Sequence, residues 1–272
     1  MAEPRFACAA WGFREMSLPE YFAAARSAGL EFVEVNVSPA TPKHLTYEAT
    51  DVQIEAMLRQ AADAGVRVVA LAGGNNFAAE DVAAEVAKVR RQIDMAAVAG
   101  AEVLRIFAGW VGAAQFTDAT FARISDALEQ VGEYGAAQGV CVAMENHGGI
   151  TATGAQCRRL LADAAAGMPV SRIPKPLGLN YDPANFRHSG EDALAALMVT
   201  SELINYSHWK DVRYEGDKPE YCAVGEGIID WQPIVQSLVR NGFDGYWAIE
   251  YETVADVERG TRESLAYLRG LL

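Results

Sequence analysis

Eight short apolar runs, each followed by a longer alanine-rich stretch, constrain the fold of this chain more than any other feature of its sequence. Runs that are apolar almost throughout are typical of strands buried on both faces of a parallel sheet. We predict eight strands, at Phe6–Ala10, Glu31–Val37, Val66–Ala72, Glu102–Phe107, Val140–Glu145, Leu177–Asp182, Leu203–Lys210 and Tyr246–Tyr251.

The stretches between these runs have helical periodicity and end in a recurring way. We predict helices at Ser17–Ala28, Asp51–Ala64, Ala79–Ala99, Asp118–Ala137, Ala152–Ala166, Asp192–Thr200, Trp231–Arg240 and Val254–Leu271. Five of them are followed by a glycine shortly before the next strand, at Gly29, Gly65, Gly100, Gly139 and Gly242. Glycine adopts the left-handed conformation that stops a helix without steric cost. This repeated ending indicates successive βαβ units.

Two architectures are built from such units, the closed (β/α)8 TIM barrel and the doubly wound open sheet. The open sheet usually carries a glycine-rich phosphate-binding turn after its first strand, and residues 9–13, Ala-Ala-Trp-Gly-Phe, do not supply one. Eight strand–helix units favour the barrel, which typically needs about 250 residues. No linker-like segment divides the 272 residues. We therefore expect an α/β fold with one barrel domain over residues 1–272.

The charge balance and the cysteines narrow the cellular setting. The chain has 36 acidic and 23 basic residues, and its net charge of −13 argues against a nucleic-acid partner. The four cysteines form no C-x-x-C pair, which is typical of reduced thiols in a cytosolic protein. The sequence shows neither a secretory signal pattern nor an apolar run of the roughly 18 residues that a membrane span needs. These features predict a cytoplasmic protein with no membrane partner.

Ionisable residues are concentrated near the ends of the last four predicted strands, which is where barrels of this type place their active sites. They are Glu145, Asp182, His208 and Glu250. A single acid there is as often structural as functional, but four such side chains from adjacent strands converge on one point. Three carboxylates so close together cannot all stay ionised without a cation. We therefore predict one divalent metal ion, for which Mn²⁺ is our first choice and Mg²⁺, Co²⁺ or Zn²⁺ are alternatives.

The same strand ends carry a resemblance to a known family. Its sharpest blocks are residues 144–149 (Met-Glu-Asn-His-Gly-Gly), 208–213 (His-Trp-Lys-Asp-Val-Arg), 225–231 (Gly-Glu-Gly-Ile-Ile-Asp-Trp) and 249–252 (Ile-Glu-Tyr-Glu). Over nearly its whole length the chain resembles the xylose isomerase-like TIM barrel superfamily. That group contains sugar isomerases, epimerases and inosose dehydratases, and abasic-site endonucleases share its fold. The order Glu, Asp, His, Glu is similar to the family's metal set, which implies that the four residues named above are ligands.

The resemblance also implies a mechanism. In isomerases and epimerases of this type, the carbonyl and adjacent hydroxyl of a keto-sugar chelate the metal, which stabilises the enediolate formed when a proton leaves the carbon beside the carbonyl. Glu145 and Glu250 would be the catalytic pair, one removing the proton and the other returning it. The expected function is a metal-dependent isomerase or epimerase acting on a small sugar or polyol.

Six further residues are candidates for substrate binding, namely His147, Lys210, Arg213, Asn185, Glu34 and Trp110. His147 either hydrogen-bonds a substrate hydroxyl or caps its loop. Lys210 contacts either the substrate or a neighbouring carboxylate, and Arg213 either clamps the substrate or pairs with a nearby acid. Glu34 contacts either the ligand or the metal-site histidine, and Trp110 either stacks on a sugar or forms a pocket wall. We interpret the remaining histidines, His44 and His188, as surface or loop residues.

One position departs from the family pattern. Many sugar epimerases of the group have a histidine three residues after the strand-six aspartate, where this chain has Asn185. Asparagine donates a hydrogen bond but cannot take a proton near neutral pH. The departure weakens the transfer of ketohexose 3-epimerase activity and favours an inosose, a hydroxypyruvate-like acid or a 3-keto-glycoside as substrate. A dehydratase or lyase on the same metal site, of the inosose dehydratase or 3-keto-glycoside lyase type, is the alternative function.

Two more distant alternatives come from other classes of protein. An abasic-site endonuclease builds a three-zinc site from several histidines, and this chain has only four histidines in all. A non-catalytic sugar-binding protein would leave the glutamate pair idle. A homo-oligomer is common for such barrels, although no helix face in the sequence identifies an interface.

Overall fold

Eight parallel strands close into a barrel in the computed structural model, which describes residues 4–168, 176–216 and 218–272. The barrel strands are β1 Arg5–Cys8, β2 Phe32–Asn36, β3 Arg67–Ala72, β4 Val103–Phe107, β5 Cys141–Glu145, β6 Leu177–Tyr181, β7 Ile204–Trp209 and β10 Tyr246–Ile249. Strand β1 pairs with both β2 and β10, which closes the ring. The (β/α)8 barrel predicted from the sequence is confirmed, and each strand ends within a residue or two of its predicted bounds.

Helices surround the barrel at the predicted places. Their bounds are α1 Leu18–Ser27, α2 Asp51–Asp63, α3 Val82–Ala99, α4 Asp118–Gln138, α5 Gly154–Gly167, α6 Pro183–His188, α7 Ala193–Thr200, α8 Trp231–Arg240 and α9 Val257–Gly270. The five helix-ending glycines all have positive φ, between 63° and 86°, so the predicted left-handed stop is present at each. Within the described part of the chain, no helix combines the length and the apolar content needed to cross a membrane.

Three short elements were not predicted, namely α6 and the antiparallel hairpin formed by β8 (Asp211–Glu215) and β9 (Lys218–Cys222). Helix α6 has six residues, too few to display a helical period, and it begins where Asp182 Oδ1 accepts a hydrogen bond from Asn185 N at 3.0 Å. The hairpin is largely exposed and polar, so it lacks the apolar alternation that marks a half-buried strand.

The barrel interior is lined largely by small residues. Alternate side chains of the strands point inward, and those at the middle of the barrel form one cluster of Ala7, Ala9, Val69, Ala70, Val103, Ala143, Tyr206, Tyr246 and Ala248. The opposite faces of the strands pack against the helices in a much larger apolar cluster. Side chains two residues beyond members of the inner cluster therefore also point inward, at the C-terminal end of the barrel. Four such side chains, each two residues further along its strand, are Arg105, Glu145, His208 and Glu250.

Asp211 connects two of the sequence blocks that carry the family resemblance. It is the fully buried first residue of β8, and its Oδ2 accepts hydrogen bonds from Gly225 N at 3.0 Å and Gly227 N at 3.1 Å. It also accepts one from the indole Nε1 of Trp231 at 2.7 Å. A Cβ at Gly227 would lie 2.1 Å from Asp211 Oδ1, so only glycine permits this approach. The block at residues 208–213 and the block at residues 225–231 are thus one hydrogen-bonded unit.

We expect Asp211→Asn to lower the free energy of unfolding by about 2–4 kcal/mol. Both carboxylate oxygens accept hydrogen bonds, and the amide nitrogen that replaces one of them is a donor facing other donors. Urea unfolding followed by circular dichroism measures the change. The control is Asp126→Asn, on the exposed face of α4, which should stay within about 0.5 kcal/mol of the wild type. Equal stability of the two variants would contradict this role of Asp211.

Candidate metal centre and active site

The structure brings Glu145, Asp182, His208 and Glu250 together at the C-terminal end of the barrel. One ligand atom from each lies within 4.8 Å of the others. Glu145 is the last residue of β5, Asp182 and Glu250 directly follow β6 and β10, and His208 lies within β7. All four are at most 4% exposed. Four neighbouring strands therefore supply a buried set of three carboxylates and one imidazole.

Glu34, on β2, fixes the orientation of the His208 ring. The carboxylate is fully buried, and its Oε2 lies 3.0 Å from His208 Nε2. Because an ionised carboxylate only accepts hydrogen bonds, Nε2 carries the hydrogen. The other ring nitrogen, Nδ1, lies 3.3 Å from Glu250 Oε2 and 3.7 Å from Glu145 Oε1. Of the two contacts expected for Glu34 from the sequence, the structure shows the one to the histidine.

A second contact holds the ends of β5 and β6 in register. Asn146 Nδ2 donates to the backbone oxygen of Asp182 at 2.8 Å, and Asp182 N donates to Asn146 Oδ1, also at 2.8 Å. Asn185 Nδ2 donates to Glu145 Oε1 at 3.0 Å, and Asn185 is 4% exposed. The structure thus places Asn185 against a candidate metal ligand, and its expected contact with substrate stays a prediction.

Two buried cations neutralise part of the acidic charge. Arg105 Nε lies 3.2 Å from Glu145 Oε2. Lys210 Nζ lies 2.7 Å from Glu250 Oε2, 2.6 Å from Glu252 Oε1 and 3.1 Å from Asp182 Oδ2. For Lys210, the structure shows the carboxylate contact, which was one of the two alternatives left open by the sequence.

The proximity of these charges separates the pKa values of the acids. Burial alone would raise the pKa of Glu145, but Arg105 and His208 outweigh it and lower the pKa to about 2. Burial raises the pKa of Asp182 to about 7, and the neighbouring acids add to this effect against the opposing charge of Lys210. Burial would lower the pKa of His208, yet Glu250 and Glu34 hold it well above its ordinary value.

The donor set fits a divalent metal ion. Two of its buried atoms, His208 Nδ1 and Asp182 Oδ2, accept no hydrogen bond from any described residue, although Asp182 Oδ2 is within ion-pair distance of Lys210. Once Nδ1 has lost its proton, its lone pair and three carboxylates within 4.8 Å are ligands that Mn²⁺, Mg²⁺, Co²⁺ and Zn²⁺ accept. The Glu34–His208 pair is the carboxylate–histidine arrangement that commonly orients a metal ligand.

A cavity of about 430 Å³ opens directly above these residues. Glu145, Lys210 and Glu250 supply charged groups to its lining. Trp110 and His147 contribute to its wall, and their rings pack edge to face with centroids 5.1 Å apart. The volume lies within the range of sites for small molecules. His147 and Trp110 therefore line the cavity at the positions expected for substrate contacts.

The structure does not bring Arg213 to this cavity. It lies on β8, where its Nε donates to Glu220 Oε2 at 2.8 Å across the hairpin, and both side chains are about half exposed. The prediction of a substrate clamp placed Arg213 just beyond β7, and the unpredicted hairpin carries it into solvent. His44, interpreted from the sequence as a surface or loop histidine, lies in the loop between β2 and α2, where it is buried (8% exposed) and stacks on Tyr21.

The cavity-lining residues that sequence reasoning missed include three with charged or phenolic side chains, Arg105, Tyr221 and Glu252. The signal for Arg105 was available, since it is a charged residue inside the apolar run Val-Leu-Arg-Ile-Phe at residues 103–107. Glu252 was quoted in a motif block without a role. Tyr221 could not have been found from the sequence, because the hairpin that carries it to the cavity was not predicted.

Fold, site and sequence define one protein class. The chain belongs to the Xylose isomerase-like TIM barrel family, whose model matches residues 22–271. Among relatives, an inosose dehydratase from Geobacillus thermodenitrificans is 27% identical over 153 residues, covering 50% of this chain and 49% of the relative. The chain thus spans about half the length of the curated relatives that it matches.

Solved structures give matches over almost the whole chain. An L-ribulose 3-epimerase is 19% identical with a TM-score of 0.77, covering 99% of this chain and 95% of the other. A xylose isomerase-like TIM barrel protein from Mycobacterium smegmatis in complex with magnesium is 14% identical with a TM-score of 0.75, covering 98% and 96%. At these identities the structures show the shared fold alone. The similar proteins described above that carry a named activity are both enzymes, an inosose dehydratase and an L-ribulose 3-epimerase.

We expect metal binding to release about one proton or more per ion below pH 7. The pKa of Asp182 is raised to about 7, so the metal-free protein holds a proton there that an ionised ligand must lose. Affinity for Mn²⁺ should therefore rise between about pH 5 and pH 8. Calorimetry in buffers of different ionisation enthalpy measures the release. Asp182→Asn should bind Mn²⁺ more weakly and release fewer protons on binding. Binding heats that do not depend on the buffer would contradict the expectation.

Glu34→Gln should weaken Mn²⁺ binding about 10–100-fold while leaving all four candidate ligands in place, because the amide no longer fixes the ring of His208 as a carboxylate does. Titration of the metal-free protein measures the dissociation constant. Glu133→Gln, on the exposed face of α4, is the matched control and should bind like the wild type. Unchanged affinity in Glu34→Gln would remove Glu34 from the metal centre.

Proposed function

We propose that this protein is a divalent-metal-dependent enzyme that removes the proton beside the carbonyl of a keto-sugar or keto-polyol. The observation that carries the proposal is the convergence of Glu145, Asp182, His208 and Glu250 within 4.8 Å under a cavity sized for a small molecule. Both glutamates line that cavity. Mn²⁺ or Mg²⁺ bound by the four residues would supply a Lewis acid for the substrate carbonyl and its neighbouring hydroxyl.

The two glutamates are suited to move the proton. Burial opposes ionisation of both, but nearby cations outweigh it and hold their pKa values below the ordinary range, that of Glu145 at about 2. Both are therefore ionised at neutral pH, and either can accept a proton from a carbon held against it. Arg105 and Asn185 each hold one oxygen of Glu145, whereas Lys210 contacts Glu250. The different surroundings give the pair different basicity.

The fate of the deprotonated substrate separates two candidate reactions. Elimination of water is favoured by the sequence relatives, which are inosose dehydratases. It also needs a proton donor for the departing hydroxyl. Lys210 lines the cavity, and although burial alone would lower its pKa, Asp182 and Glu250 hold it well above the ordinary value. Lys210 therefore stays protonated and can donate a hydrogen bond to the departing hydroxyl.

Return of the proton would instead give an isomerase or epimerase, which is the reaction expected first from the sequence. Two carboxylates favour it, those of Glu145 at the end of β5 and Glu250 directly after β10. Strands β6 and β7 lie between these two strands, and both carboxylates line the cavity, so one can remove the proton and the other return it. We place elimination first because the relatives with sequence similarity are dehydratases, whereas the epimerases match only in fold.

Deuterium exchange tests the shared step. Protein loaded with Mn²⁺ and incubated in D₂O with inososes, ketopentoses and 3-keto-glycosides should incorporate deuterium beside the carbonyl of its substrate, and chelation should stop the exchange. Mass spectrometry of the product then separates loss of water from a change of configuration. If the protein binds no divalent metal under any loading condition, the proposal fails.

Glu145→Gln should lower the exchange rate by about 10²–10⁴-fold, because the amide cannot accept the proton. Glu250→Gln should do the same and also weaken metal binding. Glu263→Gln, on the exposed side of α9, is the control and should exchange normally. Metal content is measured for each variant. Near-normal exchange by Glu145→Gln with the metal still bound would rule out Glu145 as a proton acceptor.

A further inference from the structure

The cations of the cavity are already paired with the protein's own acids. Arg105 and Lys210 are the arginine and lysine that line it among the described residues. Besides its contact with Glu145, Arg105 donates from Nη1 to Gly73 O at 3.1 Å, and its guanidinium carbon lies 4.4 Å from the ring centre of Phe107. These contacts occupy the guanidinium on several sides.

Lys210 is engaged even more fully. Its ammonium group lies within 3.1 Å of three carboxylates, those of Asp182, Glu250 and Glu252, and 5.2 Å from the ring centre of Tyr221. Asp182 and Glu250 belong to the candidate metal set, whereas Glu252 does not. Lys210 therefore keeps its ion pair with Glu252 when Asp182 and Glu250 bind a metal ion.

The charge count around the site remains negative with a metal ion bound. Five carboxylates surround it, from Glu34, Glu145, Asp182, Glu250 and Glu252. His208 is neutral once Nδ1 binds the metal ion, so two side-chain cations and one divalent ion offset four of these five charges. Like charges repel one another strongly inside a cleft with low-dielectric protein walls, so an anionic ligand meets repulsion from the site itself.

The rest of the wall offers neutral contacts. Trp11, Phe107 and Trp110 present aromatic rings, and Asn36 and Ser38 present an amide and a hydroxyl. Asn36 is 2% exposed, and its Nδ2 donates to no described residue, which leaves a neutral donor at the edge of the cavity. Such groups bind hydroxyls and carbonyls without requiring charge on the ligand.

We infer that the cavity selects uncharged polyhydroxylated carbonyl compounds and rejects their phosphate esters and sugar acids. The inference rests on the proposed function for the carbonyl group, and on the charge arrangement for the selectivity. It narrows the substrate classes left open by the sequence, since a hydroxypyruvate-like acid falls outside it.

Binding by matched compounds tests the inference without turnover. The Mn²⁺-loaded full chain is titrated with D-fructose, D-fructuronate and D-fructose 6-phosphate, and with D-ribulose and D-ribulose 5-phosphate, and also with a neutral inosose. Tryptophan fluorescence reports binding, because Trp11 and Trp110 line the cavity. We expect at least one neutral compound to bind, and each anionic counterpart to bind at least about ten-fold more weakly.

Glu252→Gln provides a gain-of-binding test. It removes the carboxylate that belongs to Lys210 alone, so anionic compounds should gain at least about ten-fold in affinity relative to their neutral counterparts. Glu55→Gln, exposed on α2, makes the same change in net charge away from the cavity and should leave the ratio unchanged. Thermal unfolding checks that both variants are folded. If either is not, the comparison of neutral and anionic compounds on the wild-type protein still tests the inference.

The inference is overturned if an anionic compound binds wild-type protein as tightly as its neutral counterpart, or if no neutral compound binds. His147→Gln is titrated in parallel, because the imidazole of His147 also lines the cavity. Anion binding that disappears in this variant would identify His147 as a cation available to the ligand. Deuterium exchange separates the two proposals: neutral selectivity without exchange contradicts only the proposed function, and exchange with anion binding contradicts only this inference.

Discussion

Repulsion among buried carboxylates at one end of the barrel is the constraint on which the rest of the site depends. Burying each charged group costs several kcal/mol, and this cost is offset only where opposite charges lie close by. Arg105 and Lys210 supply those charges, and the imidazole of His208 lies between acids on both of its nitrogens. The pKa values of neighbouring acids are driven apart as a result, low for Glu145 and raised for Asp182. A bound cation would reduce this repulsion and so stabilise the ionised carboxylates.

The scaffold keeps these charges in place through residues that take no part in chemistry. Asn146 joins the ends of β5 and β6 by two hydrogen bonds, and Asp211 holds the turn that precedes α8. Small residues inside the barrel leave room for the buried Glu34 to reach His208. Motif residues near the site can thus have positional roles. In this protein Asn146 and Asp211 hold loops in place through their hydrogen bonds.

Much of the fold could be predicted because its signals are local. Each helix-ending glycine and each apolar run acts over a few residues, so the eight barrel strands and their helices follow from the sequence. The β8–β9 hairpin could not be predicted in this way, because its exposed strands have no apolar face and are held by cross-strand pairing. The error about Arg213 follows directly, since the hairpin turns it towards Glu220.

The sequence by itself determined the barrel class and the convergence of Glu145, Asp182, His208 and Glu250, because strand order and the ends of parallel strands are fixed by the βαβ repeat. Only the tertiary structure decided which groups surround them. Contacts between residues far apart in the chain, such as Glu34 with His208 and Arg105 with Glu145, depend on the register and tilt of strands around the closed barrel. The net charge of the cavity depends on which charged residues these contacts bring together, and no local sequence pattern encodes that.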